Sequence, residues 1–194
     1  MTIETSFVTT MNALRTYHKN QCDHTPGARR QALVKPSYAT LSTIQTALTP
    51  EEAAAVEGVK VTSQEVATVS TTGIQEQIAS DTEQYKESGG GEVASDEFRK
   101  RMEQKRKAQK DSSNKMIDDM YDKAIEVGEK YPATQDVILS LSDKIMEFFT
   151  KLYNEVYFWI SNIVEKFVEW VKNAIENIKT VFNRLANWIG GWFK

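Results

Sequence analysis

An apolar pattern with an eleven-residue period runs through the last third of the chain, from Ser140 to Lys194. Four of the repeat positions are apolar almost throughout, and the positions between them are mostly polar. Eleven residues in three turns correspond to about 3.67 residues per turn, close to a straight α-helix. Pro and Gly are absent from this segment until Gly190. The pattern therefore predicts one amphipathic helix of roughly 50 residues, about 75 Å long.

The apolar stripe of this helix covers an arc of roughly 130°, which is wider than the seam of a two-stranded coiled coil. A wide, straight stripe fits either the core of a helical bundle or a lipid surface. In period alone, the segment resembles the amphipathic repeats of apolipoproteins, lipid-droplet coat proteins and synucleins. The residues that we assign to contact with a membrane or a partner are Phe148, Phe149, Val156, Trp159, Ile160, Ile163, Phe167, Trp170, Val171, Ile178, Phe182, Trp188, Ile189, Trp192 and Phe193.

Two signals upstream of the repeat divide the chain. Gly89-Gly90-Gly91 indicates a flexible joint. Pro132 ends a helix at Tyr131, because proline disfavours helical geometry in the residue before it. We therefore expect a flexible Ser/Thr-rich region with short helices over 1–91, a charged-to-amphipathic helix over 92–132, and the aromatic-rich helix over 133–194.

The N-terminal half carries weaker helical patterns. Thr49-Pro50-Glu51-Glu52 combines an N-cap, Pro at the first helical position and Glu where a capping box requires it. Gly58 and the β-branched residues after it follow closely, so we expect this helix to be short. The predicted fold is all-α: an elongated helical hairpin with a very long amphipathic C-terminal helix and a largely flexible N-terminal half.

Composition and charge narrow the classes of protein. All 4 Trp residues follow residue 148, so the capacity to form a core is concentrated in the C-terminal half. The net charge of −3 does not indicate a polyelectrolyte partner. The N-terminus lacks a Sec-type signal peptide, and no apolar run approaches the ~20 residues of a classical transmembrane helix. Localisation stays open, with export by a specialised system as one possibility.

The stripe supports two functions of different classes. The first is a non-enzymatic protein that binds membranes, and in its stronger form a secreted pore former or translocator, through the C-terminal helix. The second is a structural protein that forms an oligomer, rod or filament through the same stripe. We expect lipid contact and self-association, and a chaperone or other protein can bind the N-terminal half. A monomeric bundle is the remaining alternative.

A basic run precedes the apolar part of the second helix. Its side chains can contact lipid head groups, but a solvated helix face is the interpretation that we favour. Aromatic residues for base stacking do not accompany them, so we do not expect a nucleic-acid partner. The run comprises Arg99, Lys100, Arg101, Lys105, Arg106, Lys107 and Lys110.

His18, Cys22 and His24 form the one cluster of candidate metal ligands. His18 and Cys22 are four residues apart and lie on one face of a helix, but His24 follows too closely for an established zinc spacing. We therefore interpret the cluster as chance, and we expect no metal, no cofactor and no catalytic residue. Phosphate-binding loops and hydrolase elbows are absent from the sequence, so we do not expect an enzyme.

Overall fold

The computed structural model describes residues 6–22 and 48–193, and within these ranges the chain is helical without strands. This confirms the all-α class. The helices are α1 (Phe7–Gln21), α2 (Pro50–Glu87), α3 (Glu92–Lys130), α4 (Gln135–Glu165), the short α5 (Phe167–Trp170) and α6 (Ala174–Trp192). Two 3₁₀ turns, Pro132–Thr134 and Val171–Asn173, precede α4 and α6.

Helix α2 corrects the expectation of a largely flexible N-terminal half. Its start is the predicted capping box: the Thr49 N–H donates to Glu52 Oε2 at 2.8 Å, and the Glu52 N–H donates to Thr49 Oγ1 at 3.2 Å. The helix then continues for 38 residues, through Gly58 and Gly73. Only residues 1–5 and 23–47 of this half lie outside the described part of the chain.

The physical reason for the length of α2 is tertiary burial. Small and hydroxyl-bearing side chains recur every four residues along its buried face from Ser63 through Ala67 to Thr71, and Thr82 is buried further along the helix. The buried hydroxyl groups donate hydrogen bonds to backbone carbonyls one turn earlier in the same helix. The Thr71 O–H donates to the Ala67 carbonyl at 2.7 Å, and the Thr82 O–H donates to the Ile78 carbonyl at 2.7 Å. Packing therefore outweighs the low helix propensity of glycine and β-branched residues.

Two short connections join the long helices. Gly89, Gly90 and Gly91 all have positive φ angles, of 75°, 73° and 100°, which L side chains rarely adopt, and they form the turn between α2 and α3. Helix α3 ends before Tyr131, whose φ of −126° and ψ of 78° precede Pro132. Proline thus ends the helix as predicted.

The C-terminal segment is not one very long helix, and that prediction is wrong. Helix α4 ends at Glu165, and Lys166 (φ −112°, ψ 33°) and Asn173 (φ −123°, ψ 26°) leave the helical region. The longest helices of the described chain are α2 and α3, with 38 and 39 residues. The apolar stripe is divided because α6 packs back on α4, as the contacts described below demonstrate.

The chain forms two compact units. The described residues of Met1–Ser63 and Ser112–Lys151 make unit 1, and Gln64–Asp111 with Leu152–Lys194 make unit 2. In unit 1, α1 contributes the fully buried Met11 and Leu14. Helix α3 contributes Ile117 and Tyr121 to the same core, and α4 contributes Ile145.

Among residues 6–22 and 48–193, no helix combines the length and the apolar character that crossing a membrane requires.

Candidate lipid-contact surface

Most of the side chains that the sequence assigns to membrane or partner contact are buried. In the described chain this stripe is therefore chiefly the core of the two units. The buried members are Phe148, Phe149, Val156, Ile160, Ile163, Phe167, Trp170, Ile178, Phe182, Ile189 and Phe193. Four members are only partly buried: Trp159, Val171, Trp188 and Trp192.

An aromatic cluster covers the middle of the stripe in unit 2. Phe98 of α3 is completely buried, and its ring centroid lies 5.1 Å from that of Phe167 and 5.7 Å from that of Trp170. Tyr85 of α2 meets the Phe167 ring edge-on at 5.1 Å. Each such ring contact stabilises the folded state by about 0.5–1.5 kcal/mol beyond the contribution from burying the rings. The sequence contains the signal for this packing, since Phe98 and the buried Met102 lie four residues apart on one helix face.

Helix α6 runs antiparallel to the C-terminal part of α4. The Trp159 and Phe182 rings meet edge-on at 5.2 Å, and Arg184 Nη2 lies 2.9 Å from Glu155 Oε2. From Glu155 to Trp159 along α4, the contacted residue on α6 moves back from Arg184 to Phe182. This order of contacts is that of antiparallel helices. The apolar stripe of α4 therefore meets the same stripe of α6, and the two cover each other.

A group of aromatic side chains remains at the surface of this helix pair. We call Phe158, Trp159, Trp188 and Trp192 the aromatic edge. Phe158 is 57% exposed, and the three Trp side chains are partly exposed. Phe158 and Trp159 follow Glu155 by three and four residues on α4, and Trp188 follows its partner Arg184 by four on α6. Because the two helices are antiparallel, these two groups lie on opposite sides of the Glu155–Arg184 pair along the helix axes. The edge therefore lies along the seam between α4 and α6.

The charges beside the aromatic edge are balanced. Glu155 and Arg184 pair with each other across the seam, and their side chains are 52% and 65% exposed. Exposed Lys and Glu side chains alternate on the outer surfaces of both helices, as at Lys151 and Glu155 on α4 and at Glu176 and Lys179 on α6. Balanced charges of this kind give no Coulomb preference for an anionic over a neutral surface.

The basic run on α3 acts chiefly within the protein. Arg101 Nε and Lys105 Nζ each lie 3.0 Å from a carboxylate oxygen of Asp81, whose side chain is 10% exposed. Arg99 lies over the Phe167 ring at 5.2 Å, and Arg106 lies over the Tyr157 ring at 5.8 Å. These four cations thus neutralise a buried carboxylate or cover aromatic rings.

The remaining members of the run differ in exposure. Lys100 and Lys107 are exposed, and Lys110 is half-buried. Lys100 and Lys107 are therefore the members of the run that are best placed to contact lipid head groups.

His18 and Cys22 belong to a buried polar cluster in unit 1. His18 Nε2 lies 3.2 Å from Asp143 Oδ1, and its Nδ1 lies 3.5 Å from Thr150 Oγ1. Burial raises the pKa of the Cys22 thiol, while hydrogen bonds with Ser113 and Thr150 oppose that rise. The thiol is therefore protonated at neutral pH and a poor nucleophile.

The third member of the predicted cluster, His24, lies outside the described residues. Within the ranges that the structure describes, no group of three His, Cys, Asp or Glu side chains is arranged to hold a metal ion. The contact that sequence reasoning missed is the one between His18 and Asp143, which are separated by 125 positions in the chain.

No protein-family model, no curated protein and no solved structure matches this chain. The functional argument therefore rests on the geometry described above.

Proposed function

We propose that this chain is a non-enzymatic, membrane-interacting helical protein that contacts lipid through the aromatic edge of α4 and α6. The observation that carries the proposal is the exposure of Phe158, at 57%, on a helix pair that also carries three partly exposed Trp side chains. Other exposed apolar side chains of unit 2, such as Val69 and Val93, are single residues on polar helix faces, which is normal for a protein surface. Several aromatic side chains with exposed surface on one helix pair favour a binding site there.

The chemistry of the edge fits the boundary between lipid and water. Trp and Phe rings enter the interfacial region readily, and the indole N–H can still hydrogen-bond there. If each of the four rings gains about 1 kcal/mol, the sum is roughly 4 kcal/mol, or about a thousandfold preference for the lipid surface. Binding of this strength is reversible and peripheral.

The stronger form of the proposal includes insertion. The buried stripe of α4 and α6 would then turn toward lipid, and several copies would assemble, as in secreted pore formers and translocators. Export by a specialised system and a chaperone for the N-terminal half belong to this stronger form. The support for it is the pattern of the C-terminal segment. Its apolar stripe is long, and its polar positions keep to the opposite helix face throughout.

Flotation with vesicles tests the proposal directly. We expect the protein to float with both neutral and anionic vesicles, with little difference between them. Replacing Phe158 and Trp188 with Ser should lower the vesicle-bound fraction at least tenfold, since two interfacial rings are lost. The matched control replaces Val69 and Val93 with Ser, which removes exposed apolar side chains of unit 2 outside the edge.

Circular dichroism should give the same helix content for both double variants and the unmodified protein. If the Phe158/Trp188 variant folds and floats as well as the control, the aromatic edge is not the lipid-contact surface.

An assembly protein is the second candidate, because exposed aromatic side chains are also enriched at protein interfaces. In that case the same edge would bind a second copy of the chain. The oligomeric mass in plain buffer separates the two functions. A discrete oligomer that dissociates in the Phe158/Trp188 variant and ignores vesicles would favour assembly.

A further inference from the structure

The bend between α4 and α6 occurs where the sequence contains no helix-breaking residue. Helix α4 ends at Glu165, and the chain leaves helical geometry at Lys166 and again at Asn173. Neither residue makes a side-chain cap hydrogen bond to the helix that follows it. Helix ends in proteins are usually marked by Gly, by Pro or by a capping side chain. Local sequence therefore does not impose this bend.

The apolar stripe keeps its helical phase across the bend. The buried residues Ile163, Phe167, Trp170, Ala174 and Ile178 are separated by four, three, four and four positions. These intervals place all five on one face of an uninterrupted helix. The segment is thus compatible with two arrangements, a bent one with its stripe covered and a straight one with its stripe exposed.

Apolar burial is what holds the bent arrangement. The Trp159–Phe182 ring contact and the packing of Trp170 on Phe98 are both apolar, and the Glu155–Arg184 ion pair is exposed to solvent. The Trp170 indole N–H is buried without a hydrogen-bond partner among the described residues. A buried donor without an acceptor disfavours the bent state.

A lipid surface can replace this burial. It offers the stripe an apolar environment, and a straight helix replaces the 3₁₀ turn at Val171–Asn173 with regular α-helical hydrogen bonds. In water, straightening exposes the stripe and is therefore opposed by the hydrophobic effect. The environment of the stripe thus selects between the two arrangements.

We infer that the α4–α6 segment is a hinged hairpin that opens into one continuous amphipathic helix at a lipid surface. The hinge consists of Lys166 to Asn173. This inference rests on the proposed lipid binding, and it adds the conformational step that follows the first contact of the aromatic edge. The opened helix lies along the surface with its stripe toward the acyl chains.

Two spin labels measure the opening. We would replace Glu155 and Arg184 with Cys in a Cys22→Ala background and label both positions. Their side chains pair in the hairpin, so the labels start close together, whereas a straight helix separates positions 29 residues apart by about 44 Å. Pulsed dipolar spectroscopy should give the short distance in buffer and the long distance on vesicles of neutral phosphatidylcholine.

The same double-cysteine protein supplies a second measurement. Joining positions 155 and 184 with a short bismaleimide holds the hairpin closed without changing the aromatic edge. We expect the cross-linked protein to float with vesicles while its Trp quenching by brominated lipid falls severalfold. The protein with the two cysteines blocked separately is the control, and it should be quenched normally.

The outcomes separate this inference from the proposed function. Vesicle-bound protein that keeps the short distance, or cross-linked protein that is quenched as strongly as the control, overturns the hinge and leaves lipid binding intact. Absence of flotation overturns the proposed function, and opening at lipid fails with it. The long distance in buffer overturns the bent arrangement itself.

Discussion

Replacing Phe98 with Ala removes the centre of the aromatic cluster in unit 2. The Phe98 side chain is completely buried, and its ring contacts those of Tyr85, Phe167 and Trp170 at centroid distances of 5.1–5.8 Å. Two of these three neighbours lie in the segment that connects α4 to α6. The substitution therefore probes whether α3 covers the apolar stripe, as the fold requires.

The expected loss of stability follows from burial and from the cavity left behind. Burial of a Phe side chain contributes about 1.5–3 kcal/mol, and incomplete collapse of the site adds to that figure. Phe→Ala substitutions at buried sites cost about 3–5 kcal/mol in total. Because three aromatic neighbours lose a ring contact, we expect about 4 kcal/mol for Phe98→Ala.

Tryptophan fluorescence during urea unfolding measures this loss in unit 2 alone. All 4 Trp residues of the chain lie between residues 159 and 192, within that unit. The matched control is Phe158→Ala, since Phe158 is the same residue type in the same unit but is 57% exposed. We expect the control to change the free energy of unfolding by less than about 0.5 kcal/mol.

The vesicle assay should reverse the order of the two Phe variants that the unfolding assay gives. Phe158→Ala should weaken flotation, and Phe98→Ala should affect it only through stability. A loss below about 1 kcal/mol for Phe98→Ala would refute the packing described for unit 2. Equal losses for both variants would refute the distinction between buried stripe and exposed edge.

Three further predictions concern single residues. Gly128→Ala places a methyl group against the Phe7 ring and should destabilise unit 1 by about 1–3 kcal/mol in thermal unfolding followed by circular dichroism, whereas Gly58→Ala meets no atom and should stabilise it by about 0.5–1 kcal/mol. Asp81→Asn removes the acceptor of two cations that are themselves partly exposed, so urea unfolding of unit 2 should show a loss of about 1–2 kcal/mol; an unchanged midpoint would contradict this. The folded-state pKa of the Cys22 thiol is raised above its unfolded value, so its contribution to stability is present below the unfolded pKa and is lost as the pH rises through the folded pKa. Cys22→Ala should therefore reduce the fall in the free energy of unfolding of unit 1 at alkaline pH. An unchanged fall at alkaline pH would exclude this thiol as its cause.

The sequence by itself determined the helical class and several helix ends. The capping box at Thr49 and the proline after Tyr131 act through backbone geometry within a few residues, so local chemistry is enough to predict them. The eleven-residue pattern likewise determined most of the side chains of α4 and α6 that avoid water, because hydrophobicity does not depend on the partner.

Tertiary structure alone decided what covers those side chains. The bend at Lys166 and Asn173 has no sequence signal, since it arises from the packing of α6 on α4 and not from a helix breaker. The length of α2 was also hidden, because burial of its small side chains outweighs the local cost of Gly58. Contacts between positions far apart in the chain supply most of the stability of a helix. A periodic pattern identifies the apolar face of a helix, but it does not identify the element that packs against that face.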